Sequence, residues 1–102
     1  MMDAILDLSA DEMKQIAFEI KGEIKNFVML LSSNKDNKPF ITLMISEDLV
    51  KDKNWNAGLI IRELAKEIKG GGGGQPFFAT AGGSNIDGLK NVSQKAKMIF
   101  NE

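Results

Sequence analysis

Hydrophobic positions along the chain change spacing several times, and each spacing predicts a different element. Met13, Ile16, Ala17 and Ile20 fall at i, i+3, i+4 and i+7, the single apolar stripe of an amphipathic helix. Ser9 and Glu12 form a capping box at its start, and Gly22 ends it. Phe27 to Leu31 and Phe40 to Ile45 are nearly unbroken apolar runs, which predicts strands buried on both faces. Between them Asn34-Lys35-Asp36-Asn37-Lys38-Pro39 has the left-handed-tolerant and φ-restricted residues of a hairpin loop, so the two strands pair antiparallel. Ser46 caps a short helical turn from Glu47 to Lys51, and a polar loop follows to Asn54.

The second half carries the strongest helical pattern. Ala57, Ile60, Ile61, Leu64, Ala65 and Ile68 repeat at helical spacing, with Arg62, Glu63, Lys66, Glu67 and Lys69 opposite. This helix runs straight into five glycines, Gly70 to Gly74, then Gln75-Pro76. Phe77 to Ala81 reads as a short strand that Gly82-Gly83 ends. Ser84 or Asn85 caps a last helix with apolar positions Leu89, Val92, Ala96 and Ile99. Residues 1–8 mix apolar and acidic positions without a stop signal, as at a chain start or the end of a preceding helix.

The expected fold is therefore a small layered α/β domain. Its mixed sheet has about three to four strands, the antiparallel hairpin plus a strand after the glycine run, packed by helices. Residues 1–24 serve as N-terminal linker and helix, and 25–102 as the globular domain. If the second and third strands are parallel neighbours, the crossover joining them is right-handed.

A length of 102 residues is one ordinary domain. Cys and His are both absent, which removes thiol and histidine nucleophiles, disulfides, zinc fingers and histidine-ligated metals. No apolar run reaches the roughly 20 residues of a membrane span, and a cytoplasmic setting fits best. The net charge of -1 is uneven: residues 1–24 hold six acids against two lysines, and the remainder eleven bases against eight acids. That balance is too mild for a domain gripping long stretches of nucleic acid by charge alone, so a nucleic-acid contact here is local or shared with a larger protein. Asp87 near Ser84, or Glu47 and Asp48 with Asp52, offers carboxylates to a hard cation, but helix caps and solvated acids account for them equally.

The glycine run needs its own explanation. A flexible linker is one reading. Against it, both flanks are structured, and ordering glycine costs roughly 0.5 to 1 kcal/mol more per residue than alanine. A ligand lying on the bare main chain, with its N–H groups free to meet anionic oxygens, would offset that cost. The run is not a nucleotide-binding P-loop, because it follows a helix C-terminus and has no Gly-Lys-Ser/Thr. Gly82-Gly83-Ser84-Asn85 does lead from strand to helix, so its N–H groups and Ser84 meet an anion or simply form a turn and cap.

The string GGGGGQPFFATAGG, Gly70 to Gly83, preceded by a helix beginning Asn56-Ala57-Gly58, resembles the C-terminal domain of the alanyl-tRNA synthetases. That domain is a branch of the DHH-associated family, which also caps DHH phosphoesterases. In those phosphoesterases a histidine follows the glycines; this chain has none, and its longer Gln75 to Ala81 segment suits the synthetase branch. The resemblance spans roughly residues 25–100. It departs at Gln75, Phe77 and Phe78, where the synthetases commonly have Arg, Asp and Met.

The resemblance implies a non-catalytic tail domain that contacts the elbow of tRNA and supports aminoacylation and editing by a parent alanine–tRNA ligase. It implies no cofactor in this domain, with ATP, Mg and Zn used elsewhere in the parent. The expected RNA-binding residues are Lys66, Lys69, Gly70, Gly71, Gly72, Gly73, Gly74, Gln75, Gly82, Gly83 and Ser84. Replacing Gly72 and Gly73 by Ala is expected to weaken tRNA binding more than folding. Phe77, Phe78 and Trp55 are expected to pack against the core, Trp55 by locking its loop down. The alternatives are the substrate-binding domain of a DHH-type phosphoesterase and a self-association module forming a homodimer.

Overall fold

The computed structural model of the chain describes residues 2–6, 12, 15, 16, 19, 28–35 and 37–100. A five-stranded sheet forms its centre, in the order β1-β2-β3-β5-β4. The strands are β1 (Met2–Leu6), β2 (Val28–Lys35), β3 (Lys38–Ile45), β4 (Gly71–Gln75) and β5 (Phe78–Gly82). β1 lies parallel to β2, and every other pairing is antiparallel, so the sheet is mixed. Helices α1 (Glu47–Lys53) and α2 (Ala57–Ala65) connect β3 to β4, and α3 (Leu89–Ile99) follows β5. Short 3-10 turns at Lys66–Ile68 and Ile86–Gly88 extend α2 and lead into α3.

The register explains why the apolar runs are continuous. Val28, Leu30, Ile41, Leu43, Ile45, Ala79 and Ala81 share one face of the sheet through their cross-strand pairings. On that face they join Ile61, Leu64 and Ile68 from α2 and its extension, and Leu89, Val92 and Ala96 from α3, in one core. Met29, Leu31, Thr42 and Met44 occupy the opposite face and are buried too. A strand covered on both sides has no reason to alternate apolar with polar residues. Trp55 packs edge-on to Phe100, with ring centroids 4.8 Å apart at 86°, and ties the α1–α2 connection to the end of the chain's last helix.

Several elements differ from the sequence reading. Strands β2 and β3 continue through Asn34, Lys35, Lys38 and Pro39, which the pattern assigns to a loop; Asn37, at φ 58°, holds the turn. Helix α1 runs on to Lys53, where Asn54 at φ 56° ends it. Met2–Leu6 is a strand, an element that the pattern does not predict. Asp3 interrupts its apolar pattern and hides the signal. The glycine run is strand β4, not a loop, because an edge strand needs only one hydrogen-bonded neighbour and asks nothing of its side chains. The mixed α/β sheet is the expected one, the hairpin β2–β3 and the strand β5 after the glycine run, with β1 and β4 bringing it to five strands. β3 and β5 are antiparallel neighbours, so the condition for a right-handed parallel crossover between them is not met.

The Asn85 side-chain amide donates to the Glu67 carbonyl at 3.2 Å instead of capping a helix, and α3 begins only after Gly88. Glu12, Gln15, Ile16 and Glu19 are helical, in line with the first amphipathic stripe. Ser9, Met13, Ala17, Ile20, Gly22 and the boundary at residues 24 and 25 lie outside the described residues. Of the methionines, Met29 and Met44 are core residues, whereas Met98 is 81% exposed.

Candidate nucleic-acid interface

The site begins with the way α2 ends. Lys69 takes the left-handed conformation, φ 52°, and the Gly70 N–H reaches back to the Ala65 carbonyl at 3.0 Å, a Schellman-type closure. The chain then reverses into β4, which pairs with β5 from Gly71↔Gly82 to Gln75↔Phe78 through the tight Pro76-Phe77 connection. The Ala57 N–H donates to the Pro76 carbonyl at 2.8 Å, so the start of α2 is fastened to the tip of this hairpin. The Asn56 side chain caps the same helix start by accepting from the Leu59 N–H at 3.2 Å.

Within β4 the glycines divide into two sets. A Cβ at Gly70 would sit 1.9 Å from the Gly82 carbonyl oxygen, one at Gly72 2.1 Å from that of Thr80, and one at Gly74 2.4 Å from that of Phe78. These three approach β5 so closely that no side chain fits. Gly71 faces open space, and a Cβ at Gly73 would make only ordinary contact, 3.6 Å, with the Arg62 guanidinium. Packing therefore requires Gly70, Gly72 and Gly74 but not Gly71 or Gly73. β4 is also the last strand of the sheet, and Gly71, Gly72, Gly74 and Gln75 are exposed. In an antiparallel ladder every second residue directs its N–H and C=O away from its partner, so an edge strand presents a row of main-chain donors and acceptors.

The charges around this edge are unequal in availability. Lys66 is paired with Glu63 at 3.1 Å. Lys95 of α3 lies 3.9 Å from the carboxylates of both Glu63 and Glu67 and donates to the Glu63 carbonyl at 3.0 Å. Both acids of this stretch are thereby partly neutralised. Arg62 and Lys69 make no ion pair or side-chain hydrogen bond among the described residues. The α2–β4 seam thus carries two cationic side chains with no ion-pair partner among the described residues, beside bare main chain.

The other expected site residues fall nearby with different freedom. The Gly83 N–H donates to the Pro39 carbonyl at 3.1 Å, and the Ser84 and Asn85 N–H groups both donate to Ile68 at 2.8 and 2.9 Å. These amides are engaged inside the fold, and what remains exposed there is the Ser84 side chain. Phe77 and Phe78 are half-buried, the latter opposite Met44 on β3. Glu47, Asp48 and Asp52 are on α1; among the described residues no group of three or more acids could hold a metal ion.

Arg62 and Gly58 are residues of this seam that the pattern of the sequence places on the helix but does not assign to the site. A signal for Arg62 was present: Arg62, Lys66 and Lys69 are spaced i, i+4, i+7, one basic stripe leading into the glycines.

A mixed sheet with a glycine edge strand fastened to the preceding helix is the architecture of a known domain class. The DHHA1 domain family model matches residues 3–102, and the chain belongs to that family. Within it the similarity is to the C-terminal part of alanyl-tRNA synthetase. The chain is 53% identical over 92 residues to an alanine–tRNA ligase of Cytophaga hutchinsonii, covering 90% of this chain and 10% of that protein. It is 50% identical over 95 residues to the enzyme of the same name in Christiangramia forsetii, covering 93% and 11%. The crystal structure of the C-Ala domain from Aquifex aeolicus alanyl-tRNA synthetase superposes with a TM-score of 0.86 at 26% identity, covering 96% of this chain and 87% of that one. The chain spans about a tenth of the length of the curated relatives it matches. Among the described residues no helix is long and apolar enough to cross a membrane.

Proposed function

We propose that this domain is the tRNA-contacting tail of an alanyl-tRNA synthetase, and that the exposed edge of β4 is the surface that lies against the RNA elbow. In this reading it supports aminoacylation and editing by positioning tRNA, while ATP, Mg and Zn chemistry belongs to other parts of the parent enzyme. The observation that carries it is the division of the glycines. Gly71 and Gly73 have room for side chains yet carry none, although glycine in a strand interior costs roughly 0.5 to 1 kcal/mol relative to alanine. A ligand that must approach the main chain closely gives that cost a purpose. The elbow of tRNA presents exposed bases and a bent backbone, which suits recognition by shape and a few local contacts rather than by a long basic groove. A net charge of -1 is compatible with such a local contact.

Gly71→Ile separates binding from folding. The position is open, and a β-branched residue favours a strand, so the domain keeps its stability while the new side chain covers the edge. Titration with tRNA at low salt is expected to show affinity reduced about tenfold or more, with an unchanged unfolding midpoint. Equal affinity of the variant and the unaltered domain would contradict the assignment.

A further inference from the structure

The proposed edge needs a charged partner for phosphate, and the side chain at its hairpin end, Gln75, is neutral. We infer that Arg62, reaching from α2, is the anion-contacting side chain of this edge and seats an RNA phosphate beside Gly73. The inference rests on the RNA reading of β4 given above. Three observations converge on it. The position a Cβ would take at Gly73 is 3.6 Å from both Nε and Nη2 of Arg62, so the guanidinium flanks the main chain with two of its nitrogens. Arg62 is exposed and unpaired among the described residues, whereas the neighbouring Lys66 is held by Glu63. The helix start is fixed to the hairpin by the Ala57–Pro76 hydrogen bond, so helix and strand meet in a set geometry.

A guanidinium offers a planar fork that meets phosphate with two parallel hydrogen bonds, and main-chain N–H groups on the adjacent edge complete the ring of donors. The same arrangement disfavours a second copy of this chain on the edge. Two-fold pairing through β4 would bring two Arg62 side chains and two Lys69 side chains toward one seam, a like-charge contact.

The test is fluorescence anisotropy of an alanine tRNA transcript with the full chain, for the unaltered protein, Arg62→Ala, Arg62→Lys and Lys97→Ala, across a salt series. Lys97 is exposed on α3, which packs on α2 and its extension, and serves as the equal-charge control. Arg62→Ala is expected to weaken binding about tenfold and to make the log–log salt slope shallower by roughly one. Arg62→Lys keeps the slope and loses part of the affinity, because a point charge replaces a fork. Lys97→Ala stays within about twofold. Equal losses for Arg62→Ala and Lys97→Ala would reduce the effect to general charge and overturn the inference while leaving the RNA reading intact. An unaltered protein that does not bind the transcript would overturn the RNA reading, and the inference with it.

Discussion

Glycine does two different things in β4. At Gly72 it lets two strands approach, since a Cβ there would lie 2.1 Å from the Thr80 oxygen and 2.5 Å from the Ala81 Cβ, neither of which can swing away. At Gly71 it meets nothing. The expectation from the sequence that replacing Gly72 and Gly73 by Ala harms binding more than folding is thereby revised at Gly72, where the substitution must force β4 off β5. Gly72→Ala is expected to cost about 2 to 3 kcal/mol of stability, and Gly71→Ala to change it by less than about 0.5 kcal/mol or raise it slightly. Urea unfolding followed by Trp55 fluorescence reads both, as Trp55 is the single tryptophan. Equal midpoints for the two variants would show that the close approach at Gly72 carries no weight.

The seam between α2 and β4 is where the elements depend on each other. Gly58 sits in the first turn of α2, and a Cβ there would come within 2.8 Å of the Gly74 carbonyl oxygen. In an ordinary helix Gly→Ala stabilises by roughly 1 kcal/mol. Here the sign is expected to reverse, because an added methyl pushes helix and edge strand apart. Thermal unfolding of Gly58→Ala reads the sign, and a raised Tm would mean that the seam is loose.

Seams of this kind also mark the limit of what was legible beforehand. Helical stripes such as Ile61, Leu64 and Ile68, and runs such as Phe40 to Ile45, announce themselves because burial acts on side chains at a fixed period. β4 has almost no side chains, so no period exists to read, and its strand character comes entirely from main-chain pairing with β5. β1 is hidden for a related reason: five residues interrupted by Asp3 depend on β2 for their conformation. The lysines and glycines of the site could be singled out by composition. Arg62 could not be placed until α2 was seen lying along β4, since contact across elements is not a property of local spacing.

For the molecule as a whole, one observation organises the others. The central strands β2 and β3 are buried on both faces, so their main chain is covered, whereas β4 lies at an edge of the sheet with most of its residues exposed. At the β4 edge the fold leaves glycine main chain exposed, fixes it through the hairpin and α2, and places beside it Arg62 and Lys69, which have no ion-pair partner among the described residues. An anionic, irregularly shaped partner suits that surface, in keeping with the RNA contact proposed above. The most direct measurement is a titration of isotopically labelled domain with alanine tRNA, following backbone amide resonances at moderate salt. The earliest and largest changes are expected at Gly71 to Gln75, with Arg62 and Lys69 next, while α3 stays quiet. Changes confined to α3, with the glycine amides unmoved at saturation, would contradict the account.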